Sequence, residues 1–208
     1  MGGTMTAEPT TRPTAEQSAA PAWPVPPSEG WTVDDLHTLP GLPPHTELID
    51  GSLVFVSPQR RFHSAMIFLL RTGLRTSAPP ELRVDSEMTV VINRGNAPEP
   101  DVLVVRKEAL RSPTQTSYPV ADVVLAVEVV SPDSASRDHD TKPAKYAAAG
   151  IEHYWLVDME GEDNHPVVRV YERDPVTRTY TCTGVHRDRL KLAVPFSLDI
   201  DLSEFEEI

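Results

Sequence analysis

Residues 121–130 read Ala-Asp-Val-Val-Leu-Ala-Val-Glu-Val-Val, and this stretch constrains the fold more than any other. So continuous an apolar run is what a strand covered on both faces requires. A chain that contains it must build a sheet with structure packed on each side. Glu128 interrupts the run. A charged carboxylate in that position costs several kcal/mol if left alone, so it needs a partner. Two readings are balanced for Glu128 taken alone: a salt bridge to a neighbouring Arg or Lys, or a metal ligand or acid/base group.

The flanking segments supply the covering layers. The apolar stripe Phe62, Met66, Leu69, Leu70 and Leu74 predicts a helix over 62–76, ended by Pro79-Pro80. A shorter helix is expected just after Thr32, capped by that residue and stopped at Pro40. Asp50-Gly51, between the apolar segments 47–49 and 52–56, is a hairpin signal. Strands are expected over 82–93 (one or two), 101–105 and 121–130, with a helix over 141–149 stopped by Gly150. Further strands follow at 151–158, 167–172 and 180–185, the last two more exposed, then a short helical turn at 203–207. The expected class is mixed α/β (α+β), a mixed sheet flanked by helices with extra antiparallel strands. Residues 1–29 hold six prolines and almost no aliphatic core formers, so they are expected to be a disordered tail ahead of one domain, 30–208.

Charge narrows the function. Nineteen Lys and Arg against 31 Asp and Glu give −12, which excludes a broadly basic nucleic-acid coat. The tail carries three acids and one base, leaving −10 on residues 30–208. One cysteine, Cys182, excludes an internal disulfide and a cysteine zinc site, and it reads as a small apolar filler in a strand. No apolar run reaches the roughly 20 residues that cross a bilayer, and no secretory signal is visible, so no membrane association and a cytoplasmic location are expected.

Topology then weighs on Glu128. Asp101 opens one strand and Glu128 lies near the end of the next. If the two pair antiparallel, both carboxylates reach one end of the sheet. Side by side they repel unless a cation lies between them, and hard oxygen ligands suit Mg²⁺ or Mn²⁺. Strand 121–131, helix 141–149 and strand 151–158 form a strand–helix–strand unit, whose parallel arrangement starts the helix above that same sheet end. Lys142 sits at this start. It is placed to hold or deprotonate an attacking water, or to offset transition-state charge on a phosphodiester; the plain alternative is a solvated pair with Asp138. Lys142 is expected to approach Asp101 and Glu128, and Lys145 to point to solvent.

An ordered set of segments resembles the putative restriction endonuclease family of the Uma-two type, within the PD-(D/E)XK nuclease superfamily. They are Glu47-Leu48-Ile49-Asp50-Gly51, Ser57-Pro58, His63, Pro100-Asp101-Val102, Val127-Glu128-Val129-Val130-Ser131-Pro132, Asp138 with Lys142 and Tyr146, the run 149–158, and Val170-Tyr171. The resemblance spans about residues 31–205. It implies a restriction-endonuclease-like core and metal-dependent phosphodiester hydrolysis of nucleic acid, DNA foremost, by an endonuclease. Asp101 and Glu128 match the motif acids and would hold Mg²⁺ or Mn²⁺, with the Val129 carbonyl completing the protein ligands. The superfamily lysine two residues after the second acid is absent, since Val130 stands there, and Lys142 matches its replacement. Glu47 matches a further acidic position, an extra metal ligand or water-positioning group. Pro143 directly follows Lys142, and a proline confined to the first turn would start the helix late and shift the lysine.

His63 matches a family histidine and is open between a site role and a capping or core role. Tyr146 is within reach of the site but reads more simply as helix–sheet packing, and Asp122 and Asp138 as surface or second-layer residues. Arg60, Arg61, Arg71, Arg75, Arg106, Lys107 and Arg111 are either a DNA path or a solvated surface, the second being simpler. No HExxH pattern and no glycine-rich phosphate loop is present. The alternatives to an enzyme are a catalytically inactive nuclease-fold binding or assembly module, and an acidic structural protein whose carboxylates are salt bridges. A homodimer is an open option.

Overall fold

The computed structural model describes residues 25–208. The tail expected over 1–29 lies, up to residue 24, outside the described residues. Helix α1 (Val33–Thr38) opens with Thr32 and Asp35 in a reciprocal capping box. Strands β1 (Glu47–Ile49) and β2 (Ser52–Val54) form the expected hairpin. Asp50 and Gly51 both have positive φ, 49° and 73°, as a two-residue turn between twisted strands requires. Helix α2 (Arg61–Ser77) follows and buries Met66, Leu69, Leu70 and Leu74.

The stretch 82–93 divides into β3 (Leu82–Ser86) and β4 (Thr89–Val91), which join different sheets. Next come β5 (Val102–Arg106), the short β6 (Ser117–Pro119) and the apolar strand β7 (Val123–Val129). Helix α3 (Lys142–Ala149) ends at Gly150 in the left-handed conformation, φ 102°. Strands β8 (His153–Glu160), β9 (His165–Arg173) and β10 (Tyr180–His186) complete the main sheet, and β9 is more buried than its sequence suggests. A hairpin of β11 (Arg189–Leu192) and β12 (Leu198–Asp201), which the sequence pattern does not announce, precedes a 3₁₀ turn at Leu202–Glu207.

The six-stranded sheet has the order β10-β9-β8-β7-β5-β3. β5 and β7 pair antiparallel with Val102 opposite Val127, and β7 and β8 pair parallel across the α3 connection. Side-chain alternation then sorts the core. Val102, Val104, Leu125, Val127, Trp155 and Val157 pack with α2 and the C-terminal hairpin on one face. Leu103, Val105, Ala126, Tyr154 and Leu156 pack with Tyr146 of α3 on the other. Period two places Glu128 on the α3 face with Ala126.

Two expectations need correction. Cys182 lies in β10 but is exposed: β10 is the sheet edge, and no described residue covers it there. The α3 region does not start late at Pro143. Helical structure begins at residue 135 and passes through a π turn, Arg137–Thr141, with Lys142 N–H bonded to the Arg137 carbonyl. The wider turn relieves the crowding of a proline ring against the preceding turn, so Pro143 sits in the first turn of α3 without ending the helix. Among the described residues no helix is long and apolar enough to cross a membrane.

Candidate active site

The antiparallel β5–β7 register brings Asp101, one residue before β5, beside Glu128 near the end of β7. Asp101 Oδ2 accepts a hydrogen bond from the Val129 backbone N–H at 2.6 Å. Its Oδ1 lies 3.1 Å from His63 Nε2, in the first turn of α2. Asp101 is thus clamped between the sheet and α2.

Glu128 is 1% exposed and both of its oxygens are used. Oε2 accepts from Lys142 Nζ at 2.9 Å, and Oε1 accepts from the Tyr146 hydroxyl at 2.7 Å. Lys142 and Tyr146 are one helical turn apart on α3, so a single helix face supplies both donors. The π turn that precedes Lys142 has a second effect. It leaves the Asp138 carbonyl without a helical donor, and the Tyr154 hydroxyl of β8 takes it at 2.7 Å.

Lys142 is the centre of the cluster. Its Nζ lies 2.9 Å from Glu47 Oε1 in β1 and 3.4 Å from Asp138 Oδ1, in addition to Glu128. Glu47 also accepts the Glu99 backbone N–H at 2.8 Å, which ties the β1 hairpin to the segment before Asp101. The expected approach of Lys142 to both motif acids is realised as direct contact at Glu128 only. Asp101 makes no ion pair with it and is held by His63 instead. Lys145 does not point free into solvent but reaches Asp50 in the hairpin turn at 2.5 Å.

Electrostatics follow from burial and crowding. Burial pushes the Glu128 carboxyl well up, and Asp138, Asp101 and Glu47 add to the rise while Lys142 opposes it. Burial raises Asp138 as well, with Lys142 and a Ser134 hydrogen bond opposing. Burial by itself would lower the Lys142 ammonium, but Glu128, Glu47, Asp138 and Asp101 overcome it and hold the group charged, well above the ordinary lysine range. Asp138, read from sequence as a surface or second-layer residue, is 1% exposed and sits within this cluster.

All these groups face one cleft of about 590 Å³. Its walls include Glu47, Asp101, Glu128, Asp138 and Lys142 on one side, and His63, Phe68 and Arg71 of α2 on the other. Glu47, Asp101, Glu128, Lys142 and Val129, named from sequence, therefore meet in one place. The roles of His63, Tyr146 and Asp138 were not resolved by sequence. A histidine two residues past an Arg pair and a tyrosine at i+4 from Lys142 were the available signals, and both also fit plain packing.

Carboxylates outnumber the fixed cation here: Glu47, Asp101, Glu128 and Asp138 lie around the single Lys142 ammonium, with the His63 ring against Asp101. Asp138 Oδ1 is buried with no hydrogen-bond partner, beyond its ion pair with Lys142. Hard oxygens with excess negative charge fit a divalent cation such as Mg²⁺ or Mn²⁺. Among the described residues no group of three His, Cys, Asp or Glu is arranged as a ready metal site.

A crystal structure of a putative nuclease belonging to DUF820 from Anabaena variabilis is similar in fold, with TM-score 0.61 at 18% identity, over 85% of this chain and 97% of that one. No curated protein matches the chain. Residues 33–203, which run from the capped first helix to the C-terminal turn and hold every charged group of the cleft, match the model of the putative restriction endonuclease (Uma2) family, and the chain belongs to that family.

Proposed function

We propose that the protein is a divalent-metal-dependent endonuclease that hydrolyses phosphodiester bonds in nucleic acid, DNA foremost. One observation carries this reading: a buried, charged Lys142 held by Glu128 and Glu47 beside Asp101, in a cleft of about 590 Å³. A lysine locked this way supplies fixed positive charge without reorganisation when a phosphoryl group gains negative charge. The family description and the name of the Anabaena relative support the same reaction class.

Asp101, Glu128 and the Val129 carbonyl are the residues that would hold Mg²⁺ or Mn²⁺. Bound there, the ion would supply Lewis-acid polarisation of the phosphate and an acidified water. The chain's own groups prepare the place. Val129 N–H and His63 fix the Asp101 carboxylate, and Tyr146 fixes Glu128. Glu47 shares the Lys142 ammonium and faces the cleft, where it can orient a water. Lys142 directs positive charge toward the scissile phosphate and can hold a proton at Nζ.

The test is cleavage of supercoiled plasmid DNA, and of single-stranded DNA and RNA, with Mg²⁺ or Mn²⁺. Nicked or linear product is expected from the wild type and not from Asp101→Asn or Lys142→Gln. Undiminished cleavage by Asp101→Asn would overturn the assignment. A folded chain that binds but cleaves none of these substrates would favour the inactive-module reading.

A further inference from the structure

Helix α2 carries a second feature, on the side away from the core. Arg61, Ser64, Phe68, Arg71 and Arg75 follow one another at spacings of three and four and are all exposed. Such spacing lays them on one stripe of the helix, opposite buried Met66, Leu69 and Leu70. The helix contains three arginines and no acidic residue, in a chain whose net charge is −12. Phe68 is 58% exposed, whereas Phe62 of the same helix packs edge-to-face on Phe205. Exposing so large a ring between arginines costs hydrophobic stabilisation that packing does not recover.

Position gives the stripe a partner. Ser64, Phe68 and Arg71 form a wall of the cleft that holds Asp101 and Lys142. Arg71 makes a loose ion pair with Asp85 at 3.9 Å, and Arg61 donates to the Glu206 carbonyl at 3.3 Å, so neither guanidinium is saturated. Arg71 and Arg75 lie about 6 Å apart along the helix axis. Cations in a line with one aromatic face are the pattern that tracks a phosphate backbone while stacking an unpaired base. A duplex keeps its bases stacked inside and offers Phe68 nothing to stack on.

We propose that the α2 stripe is the binding platform for a single-stranded segment of nucleic acid, with a base stacked on Phe68 and the backbone on Arg71 and Arg75. It rests on the proposed nuclease reading for its direction, since the strand so held runs into the cleft. Substrates with unpaired stretches are then preferred over continuous duplex.

The experiment measures binding apart from cleavage. The full chain, in chelator, is titrated into a fluorescein-labelled oligothymidylate and, separately, into a labelled duplex of equal length, and polarisation is read. The single strand is expected to bind more tightly. Phe68→Ala should weaken it by about fivefold or more, and Phe68→Trp should retain it. Arg71→Gln with Arg75→Gln should flatten the dependence of log affinity on log salt by roughly 1.4, from two lost phosphate contacts. The exposed positions leave the fold intact, which a melting curve checks. Equal affinity for duplex and single strand, a silent Phe68→Ala, or no binding of either oligonucleotide would overturn the platform. Binding as described by a chain that never cleaves would leave the platform standing and remove the nuclease reading; cleavage unaffected by Phe68→Ala and the arginine changes would do the reverse.

Discussion

Removing the Lys142 ammonium leaves Glu47, Glu128 and Asp138 buried with their shared cation gone. Breaking a buried ion pair from one side costs about 3–5 kcal/mol. Lys142→Ala is therefore expected to lower unfolding free energy by about that amount in urea, so loss of activity in this variant must be read beside its stability. Lys145→Ala removes only an ion pair with the exposed Asp50 and should cost less than about 1 kcal/mol. Equal stabilities for the two variants would mean that the carboxylates around Lys142 are not charged. Glu128 was legible in the sequence because a carboxylate inside an apolar strand is an anomaly that demands a partner. Lys142 was legible through its place at the head of the following helix. Asp138 was not, since an acid four residues before a lysine looks the same whether solvated or buried. Nor was the His63–Asp101 pair, because its two halves stand far apart in sequence and only the packing of α2 on the sheet brings them together.

At the scale of elements, the neighbours of β7 were legible as an antiparallel pairing with the Asp101 strand and a parallel strand–helix–strand crossover to β8, whereas the π turn was not. Pro143 signals trouble for a helix but not how the chain resolves it. The resolution ties α3 to β8 through Tyr154 and the Asp138 carbonyl. Tyr154→Phe strips the donor from a buried carbonyl and should cost about 1–3 kcal/mol. A neutral outcome would show that another group takes the carbonyl. The hairpin β11–β12 escaped the sequence because its strands are four residues each and alternate with charged positions. His153, at the start of β8, gives an independent pH signature. Burial lowers its pKa below 6.5, against the opposing pull of Glu172 and Glu152. The fold holds this imidazole neutral and the unfolded chain binds the proton more readily. Its contribution is thus fully present above the unfolded pKa and is lost as pH falls from about 6.5 toward the depressed folded value. Thermal melts across pH 5–8 should show this fall, and His153→Gln should flatten it. An identical profile in the variant would assign the fall to other groups.

The whole molecule sets acidic bulk against two local exceptions, Lys142 in the cleft and the arginine stripe on its rim. Self-repulsion at −12 weakens the compact state, and any salt relieves part of it by screening. A divalent ion in the cleft would act differently, by binding the native state where Asp101 and Glu128 meet. Mass action then adds about 2.7 kcal/mol at one hundred times the dissociation constant. The two effects separate in a comparison at fixed ionic strength. Melts in Mg²⁺ or Mn²⁺ are set against melts in a monovalent salt of matched ionic strength, for wild type, Asp101→Asn and Asp199→Asn. Asp199 is a surface acid paired with Arg189 and remote in sequence from the cleft, so its loss should leave the divalent increment in place. Asp101→Asn keeps shape but loses charge at the one strand carboxylate that Lys142 does not already hold, and it should abolish the increment. An increment of the same size in all three proteins would place the ion on the acidic surface and leave the cleft carboxylates held by their contacts with Lys142 and His63 alone.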